Sequence, residues 1–305
     1  MNILVLGSQG MVGSSVSRAL KKNKNINLFE SSRKDTNLFS LSQTKKLFTT
    51  FKPDIVINAA AKVGGILAND LQRTEFILNN LKININIIES ITEFPETKLI
   101  NLGSSCIYPL GAEVPITEST LMTGKLEPTN SPYAMAKLAA IEMGDAISKQ
   151  YGHEVLDLMP TNLYGPNDNF SENESHVIPG LISRMHRAKL ENKEKFEVWG
   201  TGRPLREFLF IDDLASAIEF IIVKNVEPGL YNIGSNEEVT IKALVESIKD
   251  VIEFPGEIIF DETKPDGNPR KLLDSTKFTK HGWMPSINLS KGLKITYDWF
   301  LENIV

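Results

Sequence analysis

Short apolar runs alternate with longer segments of helical periodicity through the first half of the chain. The runs hold four or five residues and are bounded by turn residues, a pattern typical of strands buried on both faces. The predicted strands cover residues 3–6, 26–29, 55–58, 99–102 and 155–159, and the predicted helices between them cover residues 11–22, 41–51, 72–92 and 132–151. This alternation predicts an α/β fold with a doubly wound parallel sheet.

The rhythm changes after Gly165. A polar run at 167–176 is followed by a predicted helix near 177–188 and a charged stretch at 189–200. Residues 207–233 then predict strand, helix and strand, which we expect to return to the main sheet, and two amphipathic helices are predicted near 241–254 and 289–302. We therefore expect a main domain of residues 1–165 and 205–233 and a smaller C-terminal α/β lobe of residues 166–204 and 234–305.

Composition narrows the class of protein. The chain has 305 residues, a net charge of −5 and scattered lysines and arginines, so no basic stripe suits nucleic acid. Its single cysteine forms no intrachain disulfide, which is typical of a reducing compartment. The start MNILVLG predicts a buried strand and not a signal peptide, and the apolar stretches are shorter than the roughly 20 residues of a membrane helix. We expect a cytoplasmic protein with no membrane partner.

A glycine-rich turn, GSQGMVG at 7–13, follows the first predicted strand. Gly7, Gly10 and Gly13 allow a tight turn and bring backbone N–H groups at a helix N-terminus to a pyrophosphate. Because the turn lies between a strand and an amphipathic helix, it predicts a dinucleotide site.

The end of the second predicted strand, LFESSRKD, bears on the choice between NAD and NADP. Glu30 would suit the ribose 2′-hydroxyl of NAD, whereas Arg33 would pair with the 2′-phosphate of NADP. We favour NADP; the alternative is that Arg33 and Lys34 form an ordinary solvated charge run.

Tyr133 and Lys137 are four residues apart in SPYAMAK, and Ser104 follows the fourth predicted strand in LGSSCIYP. A phenol with a pKa of about 10 needs a nearby cation to exchange protons near neutrality, and Lys137 is one helical turn away. Ser104 can hold a carbonyl oxygen to which Tyr133 delivers a proton. The spacing alone also occurs on ordinary helices, but with the glycine turn it predicts a hydride-transfer site.

These residues resemble the extended short-chain dehydrogenase/reductase superfamily, a Rossmann-type domain with a C-terminal substrate lobe. Further segments resemble the GDP-L-fucose synthase family within it: NAAAKVGGI (58–66), GSSCIYP (103–109), LEPTNSPYAMAK (126–137), MPTNLYGPNDNF (159–170), SHVIPGL (175–181), VWGTGRPLREF (198–208) and KPDGNPRKLLD (264–274). The resemblance implies an NADPH-dependent 3,5-epimerase/4-reductase acting on GDP-4-keto-6-deoxy-D-mannose. It also implies a homodimer through residues 72–92 and 132–151.

The resemblance implies a residue set for each task. The catalytic residues are Ser104, Cys106, Tyr133, Lys137 and His176, the last two of which also contact the cofactor. The other expected cofactor contacts are Gly7, Ser8, Gln9, Gly10, Met11, Val12, Gly13, Arg33, Asn58, Leu102, Gly103, Pro160, Asn162 and Leu163. Arg184, Trp199, Arg206 and Asp266 would hold the nucleotide sugar. No metal site is expected. Ser8 and Gln9 stand where family members often carry more basic residues, which weakens the case for NADP.

Cys106 and His176 distinguish epimerisation from simple reduction. A 4-keto group acidifies the hydrogens on C3 and C5, and inversion needs an acid and a base on opposite faces. In an extended segment Ser104 and Cys106 would project to the same side. The alternatives are a buried core cysteine, a helix-capping or surface histidine, and a turn-forming role for Asp266.

Two enzyme alternatives stay open: a nucleotide-sugar 4-reductase without epimerisation and a 4-epimerase that retains NAD. A non-catalytic dinucleotide-binding regulator is a third. The sequence fixes neither the preferred nucleotide base nor which of Cys106 and His176 is the base at each carbon.

Overall fold

Strands and helices alternate along the first half of the chain in the computed structural model, which describes residues 1–171, 174–264 and 266–305. The strands are β1 (Asn2–Leu6), β2 (Asn27–Ser31), β3 (Ile55–Asn58), β4 (Lys98–Leu102) and β5 (Val155–Pro160). The helices are α1 (Met11–Leu20), α2 (Leu41–Phe51), α3 (Ile66–Leu71), α4 (Arg73–Ile91) and α5 (Ser131–Tyr151). The predicted strands and helices of this half are confirmed; the short helix α3 was not predicted.

The second half contains shorter strands and the remaining helices. They are β6 (Asn162–Tyr164), α6 (Val177–Leu190), β7 (Lys195–Trp199), β8 (Leu205–Phe210), α7 (Ile211–Lys224), β9 (Gly229–Ile233), β10 (Glu238–Thr240), α8 (Ile241–Ile252), β11 (Glu257–Asp261), β12 (Arg270–Lys271), α9 (Thr276–Thr279) and α10 (Leu289–Asn303). The helices predicted near 177–188, 241–254 and 289–302 are confirmed as α6, α8 and α10.

The main sheet is parallel, with the strand order β2-β1-β3-β4-β5-β9. Its central strands are buried because helices cover both faces, with α1 and α7 packed together on one side and α2, α4 and α5 on the other. The chain runs outward from β1 in both directions, to β2 and to β3. In such Rossmann-type sheets ligands bind at the carboxyl ends of the strands near this reversal.

Two small sheets lie outside the main one. In the first, β8 pairs antiparallel with β10 and parallel with β12 and β6; in the second, β7 pairs with β11. We expected residues 207–233 to return to the main sheet. β9 does so, since it pairs with β5 at the edge of the main sheet. β8 does not, because its two edges are paired with β10, β12 and β6 in the small sheet. The division into two lobes stays a prediction.

Alternate side chains of β1 pack into two different hydrophobic clusters, one on each face of the sheet. Ile3 and Val5 belong to the cluster that includes α1, α7 and the smaller sheets, while Leu4 and Leu6 pack in the cluster under α2 and α4. This period of two is what a doubly covered strand requires. Among the described residues, no helix combines the length and apolar composition that a membrane span needs.

Candidate active site

The glycine turn closes tightly onto the end of β1. Gly7 has a φ of 78°, and a Cβ there would lie 2.9 Å from the carbonyl carbon of Ala59. A Cβ at Gly13 would overlap the carbonyl oxygen of Gly7. The first N–H groups of a helix have no partner within that helix, so the start of α1 offers donors to a pyrophosphate. The cradle therefore fits a dinucleotide, and any side chain at Gly13 would push the turn away from the start of α1.

Glu30, on β2, and Arg33, in the turn that follows this strand, have different surroundings. Glu30 forms an ion pair of 2.6 Å with Lys21, at the end of α1. The carboxylate of Asp35 accepts hydrogen bonds from the Ser32 backbone N–H and hydroxyl, at 2.8 and 2.6 Å, which holds the turn that carries exposed Arg33. The acidic side chain that would suit NAD thus has a partner already, whereas Arg33 stands on a braced turn.

Tyr133 and Lys137 lie on the first turns of α5, and Ser104 follows β4. The Tyr133 phenol lies close enough to Ser104 for the serine hydroxyl to act on its pKa. The Lys137 Nζ lies 5.8 Å from the centroid of the Tyr133 ring and donates a hydrogen bond of 2.6 Å to the carbonyl oxygen of Leu102. The structure therefore brings together the three residues that the sequence placed in a hydride-transfer site.

The protonation of this trio differs from the simplest expectation. Burial raises the pKa of Tyr133, and the nearby Cys106 raises it further, whereas the hydrogen bond from Ser104 lowers it. Burial lowers the pKa of Lys137 to about 8, against the opposing effects of Cys106 and Asp157. The phenol is consequently held in its protonated form, which is the form that a proton donor to a ketone needs.

Cys106 lies beside Ser104, but not for the reason that we expected. Ser104 is extended, whereas Ser105–Ile107 forms a 3₁₀ turn in which the Cys106 backbone N–H donates to the Ser104 hydroxyl at 3.3 Å. The prediction of an extended segment was therefore wrong, and it is the 3₁₀ turn that keeps Cys106 beside Ser104. Burial raises the pKa of Cys106, opposed by the positive charges of Lys271 and Lys137.

Lys271 was missed by the sequence analysis, although its segment was noted. It lies on the two-residue strand β12, directly opposite Arg206 of β8, and its charge acts on Cys106. Burial lowers the pKa of Lys271. Asn130, at the N-cap of α5, was also passed over; within the described part of the chain its buried Oδ1 has no hydrogen-bond partner.

His176 reaches the same edge of the sheet from another element. It occupies the N-cap position of α6, and its side chain is 45% exposed and makes no capping hydrogen bond to the helix. The preceding residues pack on the loop after β3: the Gly65 N–H donates to the Glu174 carbonyl oxygen at 2.9 Å. The structure thus removes the helix-capping alternative for the ring of His176.

Three of the four expected sugar-nucleotide residues surround one turn. The Asp266 carboxylate accepts from the Thr201 backbone N–H and hydroxyl, at 2.9 and 2.7 Å, and burial lowers the pKa of the neighbouring Arg206. Trp199 ends β7 and is 67% exposed. Arg184 lies apart on α6, with its guanidinium 5.3 Å from the Phe196 ring centroid. Asp266 therefore braces the loop beside Trp199 from a distant segment, a structural use that differs from a turn within its own KPDG segment.

Asn58 has an internal use in the structure. Its side-chain amide donates to the Asn101 Oδ1 at 3.0 Å, and the Asn101 amide donates to the Asp157 carboxylate at 2.8 Å. These three residues lie opposite one another on β3, β4 and β5. Burial raises the pKa of Asp157 to about 7, while Asn101 and Lys137 act to lower it. A buried carboxylate therefore lies near Lys137.

A dinucleotide cradle with a Ser–Tyr–Lys set beside the strand ends defines a dinucleotide-dependent enzyme that works at a carbonyl or alcohol carbon. Comparison with known sequences supports the same class of enzyme. The chain belongs to the NAD dependent epimerase/dehydratase family, whose model matches residues 3–234.

Within that family the chain is similar to GDP-L-fucose synthases along its length. It is 48% identical to GDP-L-fucose synthase 1 of Arabidopsis thaliana, covering 99% of this chain and 94% of the relative. It is 43% identical to the GDP-L-fucose synthase of Escherichia coli K12, covering 99% and 97%. A crystal structure of a GDP-L-fucose synthetase from Naegleria fowleri bound to NADP superposes with a TM-score of 0.88, at 30% identity, covering 99% and 94%.

Proposed function

We propose that this protein converts GDP-4-keto-6-deoxy-D-mannose to GDP-L-fucose by epimerisation at C3 and C5, followed by NADPH-dependent reduction of the 4-keto group. One observation carries the proposal: the Tyr133 phenol, the Ser104 hydroxyl and the Cys106 thiol lie together, since Ser104 and Cys106 both act on the pKa of Tyr133 and the Cys106 backbone N–H donates to the Ser104 hydroxyl. A simple reductase needs the first two groups, while the thiol is what an epimerase adds. The names of the full-length relatives support the same activity.

The cofactor is NADPH, held by the glycine turn at the start of α1 and by Arg33 beyond β2. When bound, it supplies the hydride. Lys137 orients the nicotinamide ribose, and its hydrogen bond to Leu102 keeps the ammonium at the end of β4. The ion pair between Glu30 and Lys21 supports NADPH over NADH, because it neutralises the acidic group that would repel a 2′-phosphate.

In the reduction step, Ser104 and Tyr133 donate hydrogen bonds to the 4-keto oxygen. As the carbonyl carbon is reduced, the Tyr133 hydroxyl proton moves to that oxygen, leaving a phenolate. The Lys137 ammonium stabilises the phenolate electrostatically. The raised pKa of Tyr133 keeps the proton in place until the ketone accepts it.

In the epimerisation steps, a base removes the hydrogen from the carbon beside the ketone, and the C–H electron pair moves to form an enolate. The enolate oxygen stays bound by Tyr133 and Ser104, and an acid returns a proton to the opposite face. Cys106 and His176 form this acid and base pair. Lys271 and Lys137 favour the thiolate and so oppose the effect of burial on Cys106.

The nucleotide sugar lies across the small sheets. Arg184 and Arg206 bind the diphosphate, because guanidinium groups make bidentate hydrogen bonds to phosphate. Trp199 offers an exposed aromatic face to the base, and Asp266 takes the ribose hydroxyls or holds the loop that carries the tryptophan.

The protein is a homodimer through α4 and α5. Leu78 and Ile85 are seven residues apart on α4 and are exposed, as is Met135 on α5, so an apolar stripe runs along this face. Sedimentation of the wild type and of Ile85→Glu tests the assignment, with a dimer expected for the first and a monomer for the second.

The decisive experiment is incubation with GDP-4-keto-6-deoxy-D-mannose and NADPH in deuterated water, with the product analysed by NMR. We expect GDP-L-fucose with solvent deuterium at C3 and C5. A product reduced at C4 without deuterium at these carbons would indicate a plain 4-reductase. Tightly retained NAD, with no net oxidation of added NADPH, would indicate a 4-epimerase.

A further inference from the structure

Asp168 carries a buried carboxylate with too few partners. It lies between β6 and α6, and its side chain is 5% exposed. One oxygen accepts a hydrogen bond of 2.8 Å from the backbone N–H of Asn169, and the other has no partner among the residues that the structure describes. Burying an ionised carboxylate is costly unless a cation or several donors compensate for the lost water. The site therefore calls for a positively polarised group.

The imidazole of His176 is placed to be that group. Its Nδ1 lies 4.0 Å from the Asp168 Oδ1, within ion-pair range but longer than a hydrogen bond. Hydrogen bonds in catalytic sites are often long before the substrate binds and shorten in the complex. Because the ring makes no capping bond to α6, it can rotate towards the carboxylate without breaking a helix contact.

We propose that Asp168 is a positioning residue for His176: its carboxylate accepts the Nδ1–H of the imidazole, so that Nε2 faces the sugar. A hydrogen bond at one ring nitrogen fixes the tautomer and leaves the other nitrogen for proton transfer. The carboxylate also stabilises the imidazolium that forms when Nε2 takes up a proton. This inference rests on the proposed function, because it gives a reason for the orientation of the epimerisation histidine.

The test measures solvent deuterium exchange at C3 and C5 of GDP-4-keto-6-deoxy-D-mannose without reductant, so that the reduction step does not contribute. Asp168→Asn keeps the shape of the side chain but loses the charge, and we expect exchange to slow about 10- to 100-fold, the usual cost of losing such a partner. Binding of NADPH, measured by fluorescence, should stay unchanged. The matched control is Asn169→Ala in the same loop, which should retain the wild-type exchange rate within about threefold.

A double-mutant cycle separates positioning from a structural effect. If Asp168 acts through His176, Asp168→Asn should cause no further slowing in the His176→Gln background. An equal fold-loss in both backgrounds, or a control variant as slow as Asp168→Asn, would overturn the inference, as would a His176→Gln variant with normal exchange.

The result with the wild type shows whether a failure concerns the proposed role of Asp168 alone or the proposed epimerase activity as well. If the wild type reduces the ketone but exchanges no deuterium, the epimerase proposal fails and Asp168 loses its assigned role as well. If the wild type exchanges normally and Asp168→Asn does too, the epimerase proposal stands and only the positioning role is lost.

Discussion

The ammonium of Lys137 donates a 2.6 Å hydrogen bond to the carbonyl oxygen of Leu102, the last residue of β4. This bond ties α5, which carries Tyr133, to the strand end that leads into Ser104. The three groups proposed for hydride transfer are thereby held by one helix and one strand end, both of which are rigid elements. Substitutions in this set should consequently change chemistry more than fold.

Tyr133→Phe should reduce the rate of NADPH oxidation with the keto-sugar by about 100- to 10,000-fold, the range for losing a general acid. The reason is that the Tyr133 hydroxyl, which lies beside Ser104, is the proposed proton source for the ketone oxygen. The matched control is Tyr151→Phe, at the exposed end of the same helix, which should behave like the wild type. Unchanged oxidation in Tyr133→Phe would contradict the assignment.

Cys106→Ser should slow epimerisation far more than reduction of a ketone that is supplied already epimerised. A serine hydroxyl is a much weaker acid than a thiol, so it cannot exchange a proton with carbon near neutrality, but it disturbs the Ser104 turn little. Deuterium incorporation and NADPH oxidation should be measured on the same preparation. Equal losses in both steps would remove Cys106 from its role.

Arg33→Ala should raise the KM for NADPH by about 10- to 100-fold, which is the value of one or two charge-assisted hydrogen bonds. The KM for NADH should stay nearly constant, because NADH lacks the 2′-phosphate. NADH is thus an internal control on the same variant. Parallel increases for both cofactors would mean that Arg33 supports the turn after β2 and does not select the cofactor.

Reduction should fall as the pH rises through about 8, the value to which burial lowers the pKa of Lys137. Below that pH the lysine is charged and stabilises the phenolate; above it the charge is lost. The groups that act on Lys137 are Cys106 and Asp157, both of which favour its charged form. Asp157 in turn responds to Asn101, Lys137 and Asp145.

Asp157→Asn should therefore move the high-pH loss of reduction to lower pH, since an anion that favours charged Lys137 is removed. A pH–rate profile of NADPH oxidation is the measurement. Glu142→Gln is the matched control, because this exposed carboxylate also lies on α5 but its charge acts on Lys149 at the surface. Identical profiles for the wild type and Asp157→Asn would show that the carboxylate does not influence the lysine.

The sequence predicted the residues whose relationship is local or set by strand ends. Tyr133 and Lys137 are one helical turn apart, and Ser104 follows a strand that topology brings to the ligand edge. Lys271 could not be found this way, because it reaches Cys106 only through the pairing of β12 with β8, a contact between distant segments. No periodicity marks a two-residue strand.

The local structure at Cys106 escaped prediction for a different reason. A 3₁₀ turn of three residues has no repeating pattern, so an extended strand end was the natural expectation. The choice of sheet for β8 was also beyond the sequence, because a short apolar strand carries no information about which edge is free. For Asp168 the signal was one of three acidic residues in a polar run, which resembles any solvated loop.

The side-chain hydrogen bonds that join Asn58, Asn101 and Asp157 across three strands also affect folding. Parallel strands rich in Ile, Leu and Val can slide past one another with little loss of burial, so apolar residues alone specify alignment weakly. If β4 slipped by one residue, the Asn101 amide would face the opposite helical layer. The Asp157 carboxylate would then be buried among apolar side chains without a hydrogen-bond donor. The hydrogen bonds among these three polar residues thus disfavour misaligned sheets and favour the one register in which the carboxyl ends of the strands line up at the ligand-binding edge.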